Sequence, residues 1–275
     1  MNSPAPPPVL LLIVPTLDSH RLLPRLVASL QAQSWPRWRV LFIDGPSGLA
    51  HRQALKAICA ADSRFAWRPQ HPSEPGIYGA MNQGFAAAGP ADWLLVWGSD
   101  DWAAAPDVLE RAASALVAGP ASDLLVCRGR YVARGDPEGS GLDRPGRPAR
   151  FVCSPCAAGP AYRRALFRGS TPPHQATLIG PGARARLARY DLDLRLAADL
   201  DYFLRLSRRD DLRVRVLDLE LVAMGEGGVS GVEHRRRLAE VRRVYRRAFG
   251  ALWPLPFLFR YLRRLVQAGP MKRHT

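Results

Sequence analysis

The stretch Trp93-Leu-Leu-Val-Trp-Gly-Ser-Asp-Asp-Trp102 joins a short apolar run to two adjacent carboxylates. Residues 93–97 are apolar and β-prone, as is typical of a strand buried on both faces of a parallel sheet. Open α/β sheets bind ligands beyond the carboxyl ends of their strands. Mg²⁺ and Mn²⁺ prefer oxygen ligands and commonly take one or two carboxylates together with phosphate oxygens. The stretch therefore predicts that Asp100 and Asp101 bind a divalent cation at the end of a buried strand.

Strand-like and helix-like segments alternate on both sides of this stretch. Short apolar runs predict strands, and apolar residues three or four apart predict helices. The predicted strands are residues 9–14, 39–43, 65–68, 93–97 and 123–127. The predicted helices are residues 22–33, 49–60, 77–88 and 106–117. This β-α-β-α order predicts an α/β fold with a doubly wound, mostly parallel sheet. Residues 136–149, rich in Gly, Pro and Arg, are predicted to form a mobile loop.

Polar clusters follow three of the predicted strands. They are Pro15-Thr16-Leu17-Asp18, Asp44-Gly45 and Ser99-Asp100-Asp101. Because the carboxyl ends of parallel strands lie at one edge of a sheet, we expect the three clusters to converge on one crevice. A plain Asp-Gly turn is the alternative interpretation of the second cluster.

The segment before the aspartate pair reads Glu74-Pro-Gly-Ile-Tyr-Gly-Ala-Met-Asn-Gln-Gly-Phe85. With the strand that follows, it resembles the core of the family 2 glycosyltransferases. The resemblance is to the colanic-acid and capsule branch, whose motif is E-P-D-K-G-I-Y-D-A-M-N-K-G … L-N-S-D-D. It implies a GT-A type catalytic domain over residues 1–230 and a set of contacts to a nucleotide sugar. These implied contacts are Pro15, Thr16, Asp44, Gly45, Tyr78, Met81, Asn82 and Ser99.

Three positions depart from the family pattern. The loop after Pro75 is two residues shorter, and Gly79 replaces an aspartate. Gly98 stands where the family usually has Asp or Asn, and Ala198 stands where an acidic residue is frequent.

A later motif reads Tyr190-Asp-Leu-Asp-Leu-Arg-Leu-Ala-Ala-Asp-Leu-Asp-Tyr-Phe-Leu-Arg-Leu206. It resembles the family segment y-d-x-x-l-x-i-a-a-D-y-D-l-x-l-R-l, whose first capitalised aspartate is the proposed general base. Alignment on Arg205 implies that Asp199 is this base, with Asp201 as the second candidate. Helical spacing prevents both carboxylates from facing the core together with the apolar residues. A solvated helix face, with Asp201 paired to Arg205, is the structural alternative.

A histidine lies in the segment Pro172-Pro-His-Gln-Ala-Thr-Leu-Ile179. The segment is similar to the H-Q-a-x-f strand that lines the acceptor side in this branch. The resemblance makes His174 a third candidate catalytic residue. A structural histidine is the alternative.

The resemblance implies inverting transfer of a sugar from a nucleoside-diphosphate sugar to a hydroxyl of a glycan or lipid-linked acceptor, in surface polysaccharide synthesis. Such a transfer needs a base that takes the proton of the acceptor hydroxyl, a role that the resemblance gives to Asp199. The charge that develops on the departing diphosphate is stabilised by a divalent cation. We therefore expect Mn²⁺ or Mg²⁺ as cofactor, held by Asp100 and Asp101.

Arginine and lysine outnumber aspartate and glutamate 39 to 24, which gives a formal net charge of +15. The excess indicates a polyanionic partner, and a basic module for nucleic acid or another anionic surface is one alternative function. A non-catalytic nucleotide-sugar-binding protein is another. Because the motifs indicate a nucleotide-sugar donor, we expect no nucleic-acid partner. A nucleotidyltransferase would need a glycine-rich phosphate loop, which Pro15-Thr16-Leu17-Asp18 is not.

Residues 231–275 are predicted to form a basic, amphipathic helical tail. An apolar stripe there is opposed by Arg260, Arg263 and Arg264. Such a helix suits an anionic membrane surface, although the stripe would equally dock on the catalytic domain. No apolar run approaches the roughly 20 residues that span a bilayer, and four scattered cysteines suit a reducing compartment. We expect a cytoplasmic protein, peripheral on the inner face of the plasma membrane.

Overall fold

The computed structural model describes residues 7–133, 143–225 and 233–268. Its strands are β1 (Leu10–Thr16), β2 (Trp38–Asp44), β3 (Phe65–Pro69), β4 (Trp93–Val96), β5 (Asp101–Ala103), β6 (Leu124–Ala133), β7 (Arg144–Ala149), β8 (Cys156–Ala158), β9 (Thr177–Ile179) and β10 (Arg213–Gly225). Its α-helices are α1 (Leu23–Gln31), α2 (Leu49–Ala61), α3 (Gly76–Ala86), α4 (Val108–Ala118), α5 (Gly159–Phe167), α6 (Pro181–Arg186), α7 (Ala198–Leu206), α8 (His234–Phe249) and α9 (Pro254–Ala268). The predicted alternation of strands and helices up to β6 is confirmed.

The strands form one sheet in the order β3-β2-β1-β4-β9-β6-β10-β5. β1 pairs in parallel with β2 and β4, and β2 pairs in parallel with β3. The short β9 is antiparallel to β4 and β6, whereas β10 is parallel to β6. The carboxyl ends of β1, β2 and β4 therefore lie at one edge, as the doubly wound prediction requires.

Two hydrophobic clusters cover the two faces of this sheet. Along β1, Leu11 and Ile13 belong to the cluster that includes α3, α7 and α8. Leu10, Leu12 and Val14 belong to the cluster that includes α1 and α4. This alternation follows from the two-residue period of a strand, so β1 is buried on both faces.

The loop prediction for residues 136–149 is wrong where the structure describes it. Residues 136–142 lie outside the described part, and Arg144–Ala149 forms β7, antiparallel to β6. Pro145 and Pro148 lack the N–H that a central strand needs, but β7 pairs with β6 alone. An edge strand tolerates proline, and composition alone therefore misled the prediction.

The two C-terminal helices differ in how they pack. The α8 side chains Val241, Val244 and Tyr245 are buried in the same core cluster as the sheet, so this helix docks on the α/β core. α9 approaches Gly169, where a Cβ atom would overlap the backbone nitrogen of Arg260. The predicted boundary at residue 231 stays a prediction. Residues 269–275 lie outside the described part.

α9 also keeps an apolar face in solvent. Leu255, Leu258 and Leu262 are all exposed on it. Among residues 7–133, 143–225 and 233–268, no helix is long and apolar enough to cross a bilayer.

Candidate active site

The first part of the site is a hydrogen-bonded cluster around Asp44 at the end of β2. Asp44 Oδ1 accepts hydrogen bonds from Thr16 Oγ1 at 3.0 Å and from Ser47 Oγ at 2.6 Å. The Nε2 atom of the buried His51 lies 3.1 Å from the same oxygen. Because Thr16 ends β1 and Asp44 ends β2, the structure brings together two of the predicted clusters. Asp44 is only 2% exposed, so these neighbours fix its carboxylate.

The third cluster joins the first through two hydroxyl groups. Ser19 Oγ donates to Ser99 Oγ at 2.8 Å, and Ser99 Oγ lies 3.4 Å from the carbonyl oxygen of Pro15. Asp18 has a positive φ of 46° and accepts a hydrogen bond from the N–H of Gly48 at 2.7 Å. The ends of β1, β2 and β4 therefore form one polar network, in agreement with the expected crevice. Gly45 belongs to it through its N–H, which donates to the carbonyl oxygen of Thr16.

The two candidate metal ligands have different surroundings. Asp101 is 3% exposed, and its Oδ2 accepts a hydrogen bond from the N–H of Gly98 at 2.6 Å. Asp100 is half-buried, and its carbonyl oxygen accepts from the N–H of Gly225 at the end of β10. Asp101 thus shapes the turn, while Asp100 is the more accessible carboxylate.

The oxygen atoms at this turn would supply only part of the coordination that a hard cation needs. Oδ1 of Asp100 and Oδ2 of Asp101 would lie 2.7 and 3.3 Å from a Cβ atom on Gly98, so both oxygens border one small space. Within the described ranges, no group of three or more His, Cys, Asp or Glu side chains that would hold a metal occurs. A cation here would need further oxygen atoms, and a bound diphosphate carries them.

The same geometry gives a reason for Gly98. A side chain at this position would press on Asp100 Oδ1, so the Asp or Asn that is usual in the family would require the Asp100 carboxylate to move.

Gly79 and the shortened loop before it are linked. A Cβ atom on Gly79 would overlap the carbonyl oxygen of Glu74. Gln70 Nε2 holds this loop in place by donating to the carbonyl oxygens of Glu74 and Gly76, at 2.6 and 2.7 Å. The shorter loop therefore excludes the aspartate of the family pattern. The two departures are one structural change.

The second part of the site surrounds Asp199 on α7. Tyr78 Oη donates to Asp199 Oδ1 at 3.1 Å, which joins α3 to α7. His174 Nε2 lies 2.8 Å from Tyr190 Oη. Burial lowers the pKa of His174 and the charge of Asp199 opposes this shift, so the imidazole is neutral at pH 7. Burial, followed by the charge of Asp199, raises the pKa of Tyr78 well above its ordinary value, and Tyr78 therefore remains a hydrogen-bond donor.

Asp201 lies away from this group. Its carboxylate, 1% exposed, pairs with Arg205 at 3.6 Å and with Arg247 of α8 at 3.3 Å. Burial raises the pKa of Asp201, and the two arginines oppose the shift. The structure brings Asp199, not Asp201, to the cavity that also contains His174.

Two further residues that the sequence predicted for the site make contacts in the protein interior instead. Asn82 donates to the carbonyl oxygen of Tyr190 at 3.1 Å and accepts from its N–H at 2.8 Å. Met81 packs in the hydrophobic core cluster next to α7. Neither side chain is brought to the Asp44 cluster by any described contact. Asn82 instead positions the start of the second motif.

Sequence reasoning missed Glu240, which orders the start of α7 from α8. Its carboxylate accepts hydrogen bonds from three successive N–H groups, those of residues 195–197, at 3.1, 2.7 and 3.1 Å. The N–H groups that precede a helix have no partner within the helix, and an acidic side chain satisfies them well. The only sequence signal was a lone acidic residue in an arginine-rich segment.

Replacing Glu240 with alanine should lower the free energy of unfolding by about 2–4 kcal/mol, because it leaves three N–H groups, of which that of Ala197 is buried, without this acceptor. Urea denaturation measures the change. The matched control is Glu233→Ala: Glu233 is exposed, and its ion pair among the described residues is with Arg236, at 3.7 Å. It should change stability by less than about 0.5 kcal/mol. Equal effects of the two substitutions would contradict the proposed role of Glu240.

A family model described as glycosyl transferase family 2 matches residues 11–155, more than half of the chain. The chain belongs to this family.

An uncharacterized glycosyltransferase of Mycobacterium tuberculosis H37Rv is 34% identical over 187 residues, which are 66% of this chain and 63% of that protein. The match thus spans less than two thirds of that relative. A glycosyltransferase of Mycobacterium bovis BCG, named for PGL/p-HBAD biosynthesis, is 28% identical over 81% of this chain and 79% of its own length.

Two solved structures show the same fold. S. aureus TarS 1-349, in complex with UDP-GlcNAc, superposes with a TM-score of 0.65 at 18% identity, over 86% of this chain and 65% of that one. The mannosyltransferase PcManGT of Pyrobaculum calidifontis, in complex with GDP-Man and Mn²⁺, gives 0.62 at 16% identity, over 94% and 71%. The GT-A type α/β fold predicted from the sequence is confirmed.

Proposed function

We propose that this protein is an inverting glycosyltransferase that moves a sugar from a nucleoside-diphosphate sugar to a hydroxyl group of a glycan or lipid-linked acceptor. The observation that carries the proposal is the hydrogen bond between Tyr78 and Asp199. It joins two motifs that the sequence placed separately in a donor region and a base region. Family membership supports the same conclusion.

On the donor side, Asp44 and its hydroxyl neighbours are proposed to bind the base and ribose. Asp100, supported by Asp101, would hold Mn²⁺ or Mg²⁺. When bound, such a cation stabilises the charge that develops on the leaving diphosphate. Nucleotide sugars accompany the two solved structures, and Mn²⁺ accompanies one of them, which supports this assignment.

On the acceptor side, Asp199 is proposed to take the proton from the attacking hydroxyl. Tyr78 would orient its carboxylate, and the neutral His174 would line the same pocket. The product would enter surface polysaccharide synthesis, as in the colanic-acid and capsule branch. A relative named for PGL/p-HBAD biosynthesis supports a biosynthetic role.

A screen of UDP-, GDP- and dTDP-sugars for thermal stabilisation, with and without Mn²⁺, tests the donor assignment. We expect one donor class to raise the melting temperature only when the cation is present. An assay of sugar transfer to water or to a supplied acceptor, which measures the nucleoside diphosphate released, tests catalysis. Absence of stabilisation by every nucleotide sugar would contradict the proposal.

We also propose that the protein acts at the cytoplasmic face of the plasma membrane, and that α9 touches anionic lipid there. Its exposed leucines provide the apolar contact, and the arginine-rich chain provides the attraction to anionic headgroups.

Replacing Leu255, Leu258 and Leu262 together with serine should reduce binding to phosphatidylglycerol vesicles at least tenfold, because each leucine contributes roughly 1 kcal/mol of apolar burial. Vesicle co-sedimentation measures the bound fraction. Val117→Ser is the matched control, since Val117 is an exposed apolar residue on α4. Unchanged binding by the triple variant would exclude α9 as the lipid contact.

A further inference from the structure

A cavity of about 150 Å³ opens beside Asp199 and His174. Among the described residues, five arginines line it, and Asp199 is the only acidic residue in its walls. The arginines come from β7 and the residue after it, from α8 and from α9. They are Arg147, Arg150, Arg237, Arg260 and Arg263. Since His174 is neutral, the described walls carry an excess of four positive charges.

Arg260, at the inner wall of the cavity, is fixed by a hydrogen bond. Arg260 is 8% exposed, and its Nη1 donates to Thr171 Oγ1 at 3.0 Å. Its Nε is buried and has no hydrogen-bond partner among the described residues. The buried Arg260 therefore brings a positive charge to the wall of the cavity, where an anion would balance it. Arg263 is fixed by donating its Nε to the carbonyl oxygen of Arg168 at 3.1 Å.

Two arginines at the mouth are more accessible. Arg147 and Arg150 are exposed, and the guanidinium of Arg147 lies 4.7 Å from the ring centroid of Tyr131. Stacking on an aromatic ring orders a guanidinium while leaving its N–H groups available. The mouth and the inner wall of the cavity therefore present donors to the same space.

The cavity is separate from the crevice at the carboxyl ends of β1, β2 and β4, which is the proposed donor crevice. None of the residues around Asp44, and neither Asp100 nor Asp101, lines it. The diphosphate of the donor is proposed to bind at those residues, so an anion in this cavity would be a second one.

We infer that this cavity binds a phosphate group of the acceptor, next to the hydroxyl that Asp199 deprotonates. This inference rests on the proposed function. A single carboxylate is matched by one or two guanidinium groups, whereas a phosphate or diphosphate carries enough charge and oxygen atoms for several. The acceptor class is thus a phosphorylated saccharide, either free or linked to a lipid through phosphate.

Calorimetric titration with α-glucose 1-phosphate and with methyl α-glucoside tests the inference, because the two sugars differ in the phosphate. The titrations contain Mg²⁺ and excess nucleoside diphosphate, so that the donor crevice is occupied. We expect the sugar phosphate to bind and the neutral sugar not to bind. In the Arg147→Gln/Arg150→Gln variant, the affinity should fall about tenfold or more. Arg37→Gln is the control, since Arg37 is exposed at the amino end of β2, and it should change nothing.

A second titration uses a prenyl-diphosphate-linked sugar in detergent micelles. Binding in the first arm supports recognition of a phosphate on the glycan, and binding only in the second supports a phosphate linked to lipid. Failure in both arms, or binding that the double variant does not weaken, would overturn the inference. If a nucleotide sugar still binds the parent protein in that case, the proposed function stands. Phosphate binding without any nucleotide-sugar binding would instead remove the acceptor role assigned to the cavity.

Discussion

Replacing Asp199 with asparagine should reduce turnover about a hundredfold or more, because the amide keeps the shape of the side chain but does not accept the proton of the acceptor hydroxyl. Tyr78 would still have an oxygen to which to donate, so the local structure should persist. Donor affinity should barely change. Steady-state rates with the donor and acceptor identified in the screen measure the first effect, and calorimetry measures the second.

The matched control is Asp201→Asn, on the same helix and two residues away. Asp201 pairs with Arg247 instead of reaching the cavity, so turnover per folded molecule should stay near normal, although stability should fall. Near-normal turnover in Asp199→Asn, with collapse in Asp201→Asn, would assign the base to Asp201.

Replacing Asp100 with alanine should abolish the metal-dependent part of nucleotide-sugar binding. The cation would lose its accessible carboxylate and would face a highly charged diphosphate with too few protein ligands. Calorimetry in Mn²⁺ and in excess chelator separates the metal-dependent part from the rest. The effect should be larger than that of any single contact to the sugar, since cation and diphosphate bind together.

Two further variants sharpen this experiment. Asp107→Ala removes an exposed carboxylate that pairs with Arg111 at 3.8 Å, and it should leave donor binding unchanged. Asp101→Asn keeps an oxygen for the N–H of Gly98 but removes the charge, so it separates the turn-forming role from a role in metal binding. If Asp100→Ala binds every donor with unchanged metal dependence, the cation site lies elsewhere.

The polar network at the ends of β1, β2 and β4 was predictable because its signals are local. Each strand is a continuous apolar run, and Thr16, Asp44 and Ser99 follow such runs directly. The parallel topology alone then places these residues at one edge of the sheet. The hydrogen bond from Thr16 to Asp44, and the one from Ser99 to the carbonyl oxygen of Pro15, are the consequence.

The surroundings of Asp199 were less predictable because their contacts are not local. Glu240 acts on residues 195–197 from another helix, and nothing in its own neighbourhood indicates this. The arginines of the cavity come from three separate segments and appeared in the sequence only as excess charge. Pro145 and Pro148 concealed β7, because proline argues against a central strand but not against an edge strand. Tertiary packing, which the sequence pattern does not encode locally, decided these features.

Because Glu240 caps α7 from a later helix, the order in which the segments are translated bears on function. During translation, β1, β2 and β4, whose carboxyl ends form the proposed donor crevice, emerge early and pair with one another. The helix that carries Asp199 emerges later, and the carboxylate that fixes its first turn emerges later still. A nascent or proteolytically shortened chain that ends before α8 would contain the proposed nucleotide site but would lack the carboxylate that caps the helix of Asp199, the proposed base. Sugar transfer would then require a chain that extends through α8, whereas nucleotide binding would not require α8.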